Sequence, residues 1–448
     1  MTASRFPHPL TLLVACILLA AALSWVLPAG EFQRREDPAT GRSVVVPGTY
    51  ARVEGTPVGP FQAMVGIPRG MIAAAPVIFF VFLVGGAFAV VERTGALGRL
   101  VNSLAFTLEG RGLLVIPVTG LAFATGGALI QMQEELIAFV PVLLLLTSRL
   151  GFNPLVAMAM SLGASAVGAS FSPINPFQVG IAQKVAKLDL LSGWELRLAF
   201  LIPALVIWIA GTMLYARRTR APGAAPDPAP VTGAGAGAAP GAVLVTVVLA
   251  FIAFVVGVLR FHWDFDQLAA VFFIMGVAAG LIGGLRLADT VDAFVDGLRS
   301  ITFAALLIGF ARGIHVVLEE GRIVDTIVHG LFTPIADLPV TLSALAMMAA
   351  HGVVHVPVPS TSGQAVLTLP LLVPLSDLIG LSRQVTVLAY QYGAGLCELL
   401  TPTNGALMAM LAACGVAYDQ WVRFAAPVIG GLVALAAAAI GVAIAVGV

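Results

Sequence analysis

The residues best placed to do chemistry are polar groups at two proline-broken points in otherwise apolar sequence. One point reads Ser172-Pro173-Ile174-Asn175-Pro176 and the other Thr401-Pro402-Thr403-Asn404-Gly405. Proline removes a helical hydrogen bond, so each break frees backbone N–H and C=O groups that need partners. Half-helix N-termini then suit carboxylates, while half-helix C-termini and unwound carbonyls suit small cations. Ser172, Asn175, Thr401, Thr403 and Asn404 add hydroxyls and amides at the same points. Packing kinks are the plain alternative. Duplication favours a site: Pro173 and Asn175 recur at Pro402 and Asn404, an offset of 229 residues that also pairs Pro141 with Pro370, Gly151 with Gly380 and Val156 with Val385.

Two further polar knots interrupt apolar runs. Residues 113–150 carry Gln131-Met132-Gln133-Glu134-Glu135, and residues 340–380 carry Pro359-Ser360-Thr361-Ser362-Gly363-Gln364. Each half-segment is short for a spanning helix, so each reads as a re-entrant hairpin with a polar tip. Ser360, Thr361 and Ser362 could bind a carboxylate. Glu134, Glu135 and, beside the second break, Glu398 are carboxylates within apolar sequence, which makes them candidates for a coupling ion or proton. A structural ion pair is the alternative. Arg312, His315 and Glu319 share a helix face, where Arg312 is expected to pair with a carboxylate. His351 and His355, four apart, could hold a metal, but no third ligand is evident, so no metal is expected.

These residues need elements to position them, and composition says which. Of 448 residues, 59% are hydrophobic and only 10% charged, far below the roughly 25% charged of soluble domains. The chain reads as an all-α polytopic membrane protein. Net charge is zero, which gives no support for nucleic-acid binding, and three cysteines (Cys16, Cys397, Cys414) make no disulfide or metal framework. Residues 10–28 read as a retained span rather than a cleaved leader. Further spans are expected at 70–91, 194–216, 242–259, 267–285, 300–319 and 419–446, with broken helices at 154–190 and 384–414. Residues 30–69 read as a polar loop with a β-leaning run at Ser43 to Val46, and 96–109 and 321–335 as interfacial amphipathic stretches.

The expected plan is two inverted-topology repeats, each with a re-entrant hairpin and a broken transmembrane helix. The first covers residues 1–216 and the second 267–448. An Ala/Pro/Gly-rich linker at 217–241 and one connecting span at 242–266 separate them. One extra span inverts the second copy. Lys and Arg are balanced between the two sides, so charge does not set the orientation.

Five blocks resemble the YfcC / C4-dicarboxylate uptake C (DcuC) family: Gly85 to Ala96, Asn175 to Gln183, Pro359 to Ala365, Ala389 to Gly395, and Thr401 to Gly405. The resemblance covers nearly the whole chain. It implies a homodimer in the bacterial cytoplasmic (inner) membrane, with a scaffold and an elevator-like transport domain. It also implies that Ser-Asn-Thr type motifs at tips and breaks bind Na+ and a substrate carboxylate. Gln133-Glu134-Glu135 at the first tip departs from that pattern and leaves room for proton coupling or a cationic substrate. The expectation is a secondary active transporter of a C4-dicarboxylate or amino acid, driven by Na+ or H+ and without a cofactor. The alternative is an arginine/ornithine-like exchanger with no net ion coupling. No phosphate-binding loop is present, and Ser360 lacks the Asp/His partners of a nucleophile, so an enzyme is not expected.

Overall fold

A computed structural model describes residues 9–38, 42–97, 99, 111–220, 240–261 and 263–448. The expected linker lies mostly outside the described residues, as does most of the stretch 96–109. The described chain is helical apart from four short strands. Seven of its helices are long and apolar enough to cross a membrane.

The first layer contains α1 (Pro9–Val26), α2 (Pro60–Ala73), α3 (Ala75–Arg93), α10 (Pro240–Phe261), α11 (Phe265–Ile282) and α12 (Leu287–Glu320). Apolar attraction is weak between helices surrounded by lipid, so small residues must let backbones meet. Here α2 crosses α12 at Gly70, where an added Cβ would lie 2.4 Å from the Gly313 nitrogen and 2.6 Å from the Gly309 oxygen.

Two expectations change in this layer. The loop after Gly30 ends at Gly59, because α2 starts with Pro60 at its first turn. The span expected at 300–319 is the second half of a 34-residue helix. Asp289, Asp292, Asp296 and Arg299 break its apolar pattern without breaking its backbone.

The β-leaning run forms β3 (Arg42–Val45), antiparallel to β2 (Arg34–Asp37). The short strands β1 (Gly30–Glu31) and β4 (Ala51–Arg52) pair beside them. This flap is tied to α13 (Val324–Phe332) by Asp325, whose carboxylate accepts from the Phe32 amide at 2.9 Å and from Arg34 at 2.8 Å.

The second layer holds the two hairpins and two broken helices. Hairpin one joins α4 (Val115–Ile130) to a 3-10 turn (Glu134–Phe139) and α5 (Val140–Arg149). Hairpin two joins α14 (Val340–Val354) to α15 (Thr361–Ile379). The arms are unequal. In each hairpin one arm, counting the 3-10 turn before α4, has the length of a span (112–130 and 361–379), while its mate is shorter. The first broken helix runs through α6 (Pro154–Met158), a π turn (Ala159–Gly163), α7 (Ala164–Ser170), a second π turn (Pro176–Gly180) and α8 (Ile181–Val185). The π turn frees the Ala159 carbonyl, which accepts from the Trp208 indole at 2.8 Å. The second broken helix is α16 (Arg383–Cys397) and α17 (Gly405–Cys414). Long helices α9 (Trp194–Thr219) and α18 (Tyr418–Val446) flank them. Leu198, Ile202, Val206 and Leu214 of α9 are exposed, as suits a lipid-facing helix.

The offset of 229 recurs in local geometry. Gly151 and Gly380 both take positive φ, +75° and +74°. Thr147 and Ser376 hydroxyls bond back to Leu143 and Leu372 carbonyls. Asn153 and Ser382 cap the two broken helices by accepting from Val156 and Val385. Asn175 and Asn404 cap the second halves by accepting from Gln178 and Leu407. Each of these pairs is 229 apart, so sequence and cap chemistry repeat together.

Candidate functional site

Tip one forms because Gln131 ends α4 in a left-handed conformation (φ 52°), its amide bonded to the Gly127 carbonyl at 3.0 Å. The chain then turns into the 3-10 segment, and the Glu135 carboxylate accepts from the Gln133 amide at 3.0 Å. The tip's two glutamines reach across to tip two and the second broken helix. Gln131 donates to the Thr361 hydroxyl at 2.6 Å, and Gln133 donates to the Glu398 carboxylate.

Tip two starts α15 with Ser360, whose hydroxyl accepts from the Gly363 amide at 3.2 Å. Tyr390 donates to the Thr361 carbonyl and Thr403 to the Val356 carbonyl. His315 of α12 sits 3.0 Å from the Pro357 carbonyl and 3.1 Å from a Glu319 carboxylate oxygen, so among the described contacts it is His315, not Arg312, that meets the carboxylate on that helix face. His351 and His355 are fully buried and share Gln364, which lies 2.9 Å from one ring and 3.2 Å from the other. Both histidines lie outside the cavity described next.

The two tips, the second break and the first layer enclose a cavity of about 480 Å3. Gln131, Gln133, Glu134 and Glu135 come from tip one, and Ser360, Thr361 and Ser362 from tip two. Glu398, Asn404 and Gly405 come from the second break. Trp263, Asp264, Phe265 and Phe254 close it from the first layer, and Phe177 enters from beyond the first break. Four carboxylates line this space. Among the described lining residues there is no Lys, Arg or His. Among the described residues, the Gln131 side-chain oxygen is a buried acceptor without a donor.

Several sequence candidates are brought together here: Glu134, Glu135, Glu398, Ser360, Thr361, Ser362 and Asn404. Four are placed elsewhere. Ser172 and Asn175 are fully buried and satisfied by backbone groups of their own break and of α4. The Ser172 hydroxyl donates to the Ala128 carbonyl at 2.7 Å and accepts from Ile174 and Asn175 amides. Asn175 accepts from Phe177 and Gln178 amides and donates to the Gly127 carbonyl, each at 2.9 Å. Thr401 bonds its own helix, at the Cys397 carbonyl, and Thr403 braces tip two.

One residue escaped sequence reasoning. Arg197 of α9 is 1% exposed, and its described hydrogen bonds go to neutral acceptors rather than a carboxylate. Its guanidinium donates to Gln391 at 2.9 Å, Gln384 at 3.1 Å and the Ser192 carbonyl at 2.9 Å. Gln391 in turn donates to the Ser172 carbonyl at 2.8 Å. The arginine therefore ties the second broken helix to the first break. Its position in an apolar run, three residues after Trp194, was the available signal.

The C4-dicarboxylate anaerobic carrier family, DcuC, matches residues 6–446. An Escherichia coli K12 protein named "Putative basic amino acid antiporter YfcC" is 31% identical over 479 residues, covering 95% of this chain and 93% of its own. A Haemophilus influenzae protein is 28% identical over 488 residues, covering 96% and 95%. Among solved structures, the Alcanivorax borkumensis YdaH transporter covers 98% of this chain and 99% of its own, at 16% identity and a TM-score of 0.42. Neisseria gonorrhoeae MtrF, titled as one of a class of antimetabolite efflux pumps, covers 98% and 95% with the same identity and score. These two structural likenesses are too slight to assign a role to any residue.

Proposed function

The chain belongs to the DcuC family of membrane carriers, and on that premise we propose that it exchanges amino acids bearing a cationic side chain across the bacterial cytoplasmic membrane. The observation that supports this reading is the charge of the cavity. Glu134, Glu135, Glu398 and Asp264 line it without a basic residue among the described lining. A C4-dicarboxylate entering that space would bring two more carboxylates beside four. An ammonium or guanidinium group would instead place a positive charge among them, and its N–H groups would meet the Gln131 oxygen.

The substrate's own carboxylate fits the part of the lining supplied by tip two and Asn404. Ser360 caps the N-terminus of α15, Asn404 caps that of α17, and Ser362 lines the same cavity. Two helix N-termini favour an anion there. Glu134, Glu135 and Glu398 hold the cationic end in this reading, and Ser360, Thr361, Ser362 and Asn404 the carboxylate end. Uncompensated carboxylates are costly in hydrocarbon, so each crossing carries a cation: the substrate side chain one way, and a second substrate, Na+ or H+ the other way.

The two layers give this exchange its geometry. The hairpins and broken helices, related as inverted repeats, move as a transport layer against α1–α3 and α10–α12, in an elevator-type cycle within a homodimer. Crosslinking across a proposed sliding contact, such as Gly405 against Ile308, tests that motion.

Purified protein in liposomes loaded with unlabelled arginine tests the substrate. Labelled arginine is expected to enter by counterflow, while labelled succinate stays outside. Succinate counterflow without arginine counterflow would overturn the reading. Net uptake into liposomes without internal substrate separates gradient-driven transport from exchange: an imposed Na+ or H+ gradient drives arginine in for the first and not for the second.

A further inference from the structure

Three of the cavity's acids sit on the hairpins and second break, but the fourth does not. Asp264 begins α11, which packs on α3 and α10. Its carboxylate accepts from the Phe265 amide at 2.8 Å, and Gln267 returns a bond to the Asp264 amide at 3.0 Å. This capping box fixes the backbone at 264 whether or not anything is bound. Asp264 remains exposed within the cavity lining.

Its neighbour is equally well held. The Trp263 amide bonds to the Gly257 carbonyl at 3.1 Å, and its indole stacks with Phe261 at a 6.1 Å centroid separation and 27°. The indole also lies over Gly257 of α10, where a Cβ would sit 2.0 Å from the ring. Only glycine at 257 leaves room for the indole there. An anchored aromatic ring next to a carboxylate, both on one cavity wall, is a receptor for a guanidinium or ammonium group.

We propose that Trp263 and Asp264 form a stationary cation-recognition corner, supplied by the first layer, that sets the preference for a charged over a neutral side chain. The inference rests on the cationic-substrate reading above and adds residues that neither the hairpins nor the breaks contain. Its consequence is directional. A substrate held by the tips meets this corner only when the two layers stand in the present register, so the corner raises affinity at one membrane face and not at the other.

The test compares arginine with citrulline, its uncharged isostere, in oriented proteoliposomes bearing the full chain. Asp264→Asn is the decisive variant, because asparagine caps helices about as well as aspartate and removes only the charge. The arginine KM is expected to rise by about threefold to tenfold at one face, with the citrulline KM and the thermal midpoint unchanged. Trp263→Phe should retain most of the preference and Trp263→Leu should lose it. Unchanged arginine KM at both faces in Asp264→Asn would overturn the corner alone, as would equal losses for arginine and citrulline. Wild-type protein that exchanges no cationic amino acid would overturn the substrate reading and this inference with it.

Discussion

The two helix breaks look alike in sequence and differ in what their polar groups do. At the first, the Ser172 and Asn175 side chains are spent on six hydrogen bonds to backbone groups, four to amides of the break and two to the Ala128 and Gly127 carbonyls of α4. The space beside it, about 330 Å3, is lined mainly by Pro173, Ile174, Pro176, Val179, Ile181 and Leu190. Carbonyls are met from outside at both breaks: Gln391 reaches Ser172 at the first, and two residues of α18 reach the second. Trp421 donates to Leu399 at 2.7 Å, and the Tyr418 hydroxyl donates to Leu400. That leaves Glu398 and Asn404 on the wall of the acidic cavity. A break whose polar side chains are all spent on backbone and lie off the cavity is structural. A break whose polar side chains reach the cavity wall has groups to offer a ligand.

The largest expected effect tests the second break. Glu398→Gln keeps an acceptor for Gln133 and removes the charge. Counterflow should fall about 100-fold or more, as expected when a charged, buried contact to substrate is lost. The thermal midpoint should stay within a few degrees of wild type. A parallel loss of stability would make Glu398 a structural residue and dissolve the contrast.

The first break should answer in the opposite way. Asn175→Ala removes three hydrogen bonds and leaves the Gly127 carbonyl and two amides without this partner. The cost is about 2–4 kcal/mol of stability, from a lost cap and unsatisfied buried groups. The surviving protein should show a substrate KM within about twofold of wild type, since ordinary packing changes leave binding contacts intact. A KM shift without destabilisation would place Asn175 in the transport site after all.

Arg197→Lys is next in size. Lysine carries the charge but not the fork that reaches Gln391, Gln384 and the Ser192 carbonyl together. A loss of about 1–3 kcal/mol is expected. Because Gln391 links this arginine to Ser172, the variant should also loosen the first break. Faster amide exchange at 171–176 than at 398–404 would show it, and equal exchange would detach Arg197 from the comparison.

Much of this was legible in the sequence, and for identifiable reasons. Proline and asparagine in apolar runs mark breaks because backbone groups in lipid need partners, and Gly151 and Gly380 mark turns because positive φ favours glycine. The offset of 229 therefore carried over into cap geometry. The polar tips were legible for the same reason, and the structure brings both to one cavity. Local pattern says nothing about which side chains are consumed by backbone groups, so Ser172 and Asn175 were read on a par with Asn404. It also says little about what packs across. Trp263 and Asp264 sit in the turn between two helices and become cavity wall only through the fold, and Arg197 needed Gln384 and Gln391, nearly 200 residues away. The N-terminal half of α12 was hidden by its charges, which point pattern readings away from a membrane even where the helix simply extends beyond it.

The smallest expected effect comes from Thr401, one residue before the second break's proline and off the cavity. Its hydroxyl donates to the Cys397 carbonyl at 2.8 Å. That carbonyl also accepts from the Leu400 and Thr401 amides, each at 3.0 Å. Thr401→Val therefore leaves that carbonyl satisfied, and what is lost is the hydroxyl's bond to it and its 3.1 Å contact with the Cys397 thiol, which also reaches the Gly352 carbonyl. A cost of about 0.5–1 kcal/mol follows, the net worth of one ordinary hydrogen bond. Arginine counterflow should stay within about twofold, since binding contacts are untouched. The pair Thr401→Val and Glu398→Gln, three residues apart, thus asks whether ligand contact at this break belongs to the side chains on the cavity wall or to the break as a whole. A large transport loss in Thr401→Val would give it to the whole break, and the division between a structural first break and a ligand-facing second one would have to be drawn from backbone carbonyls instead.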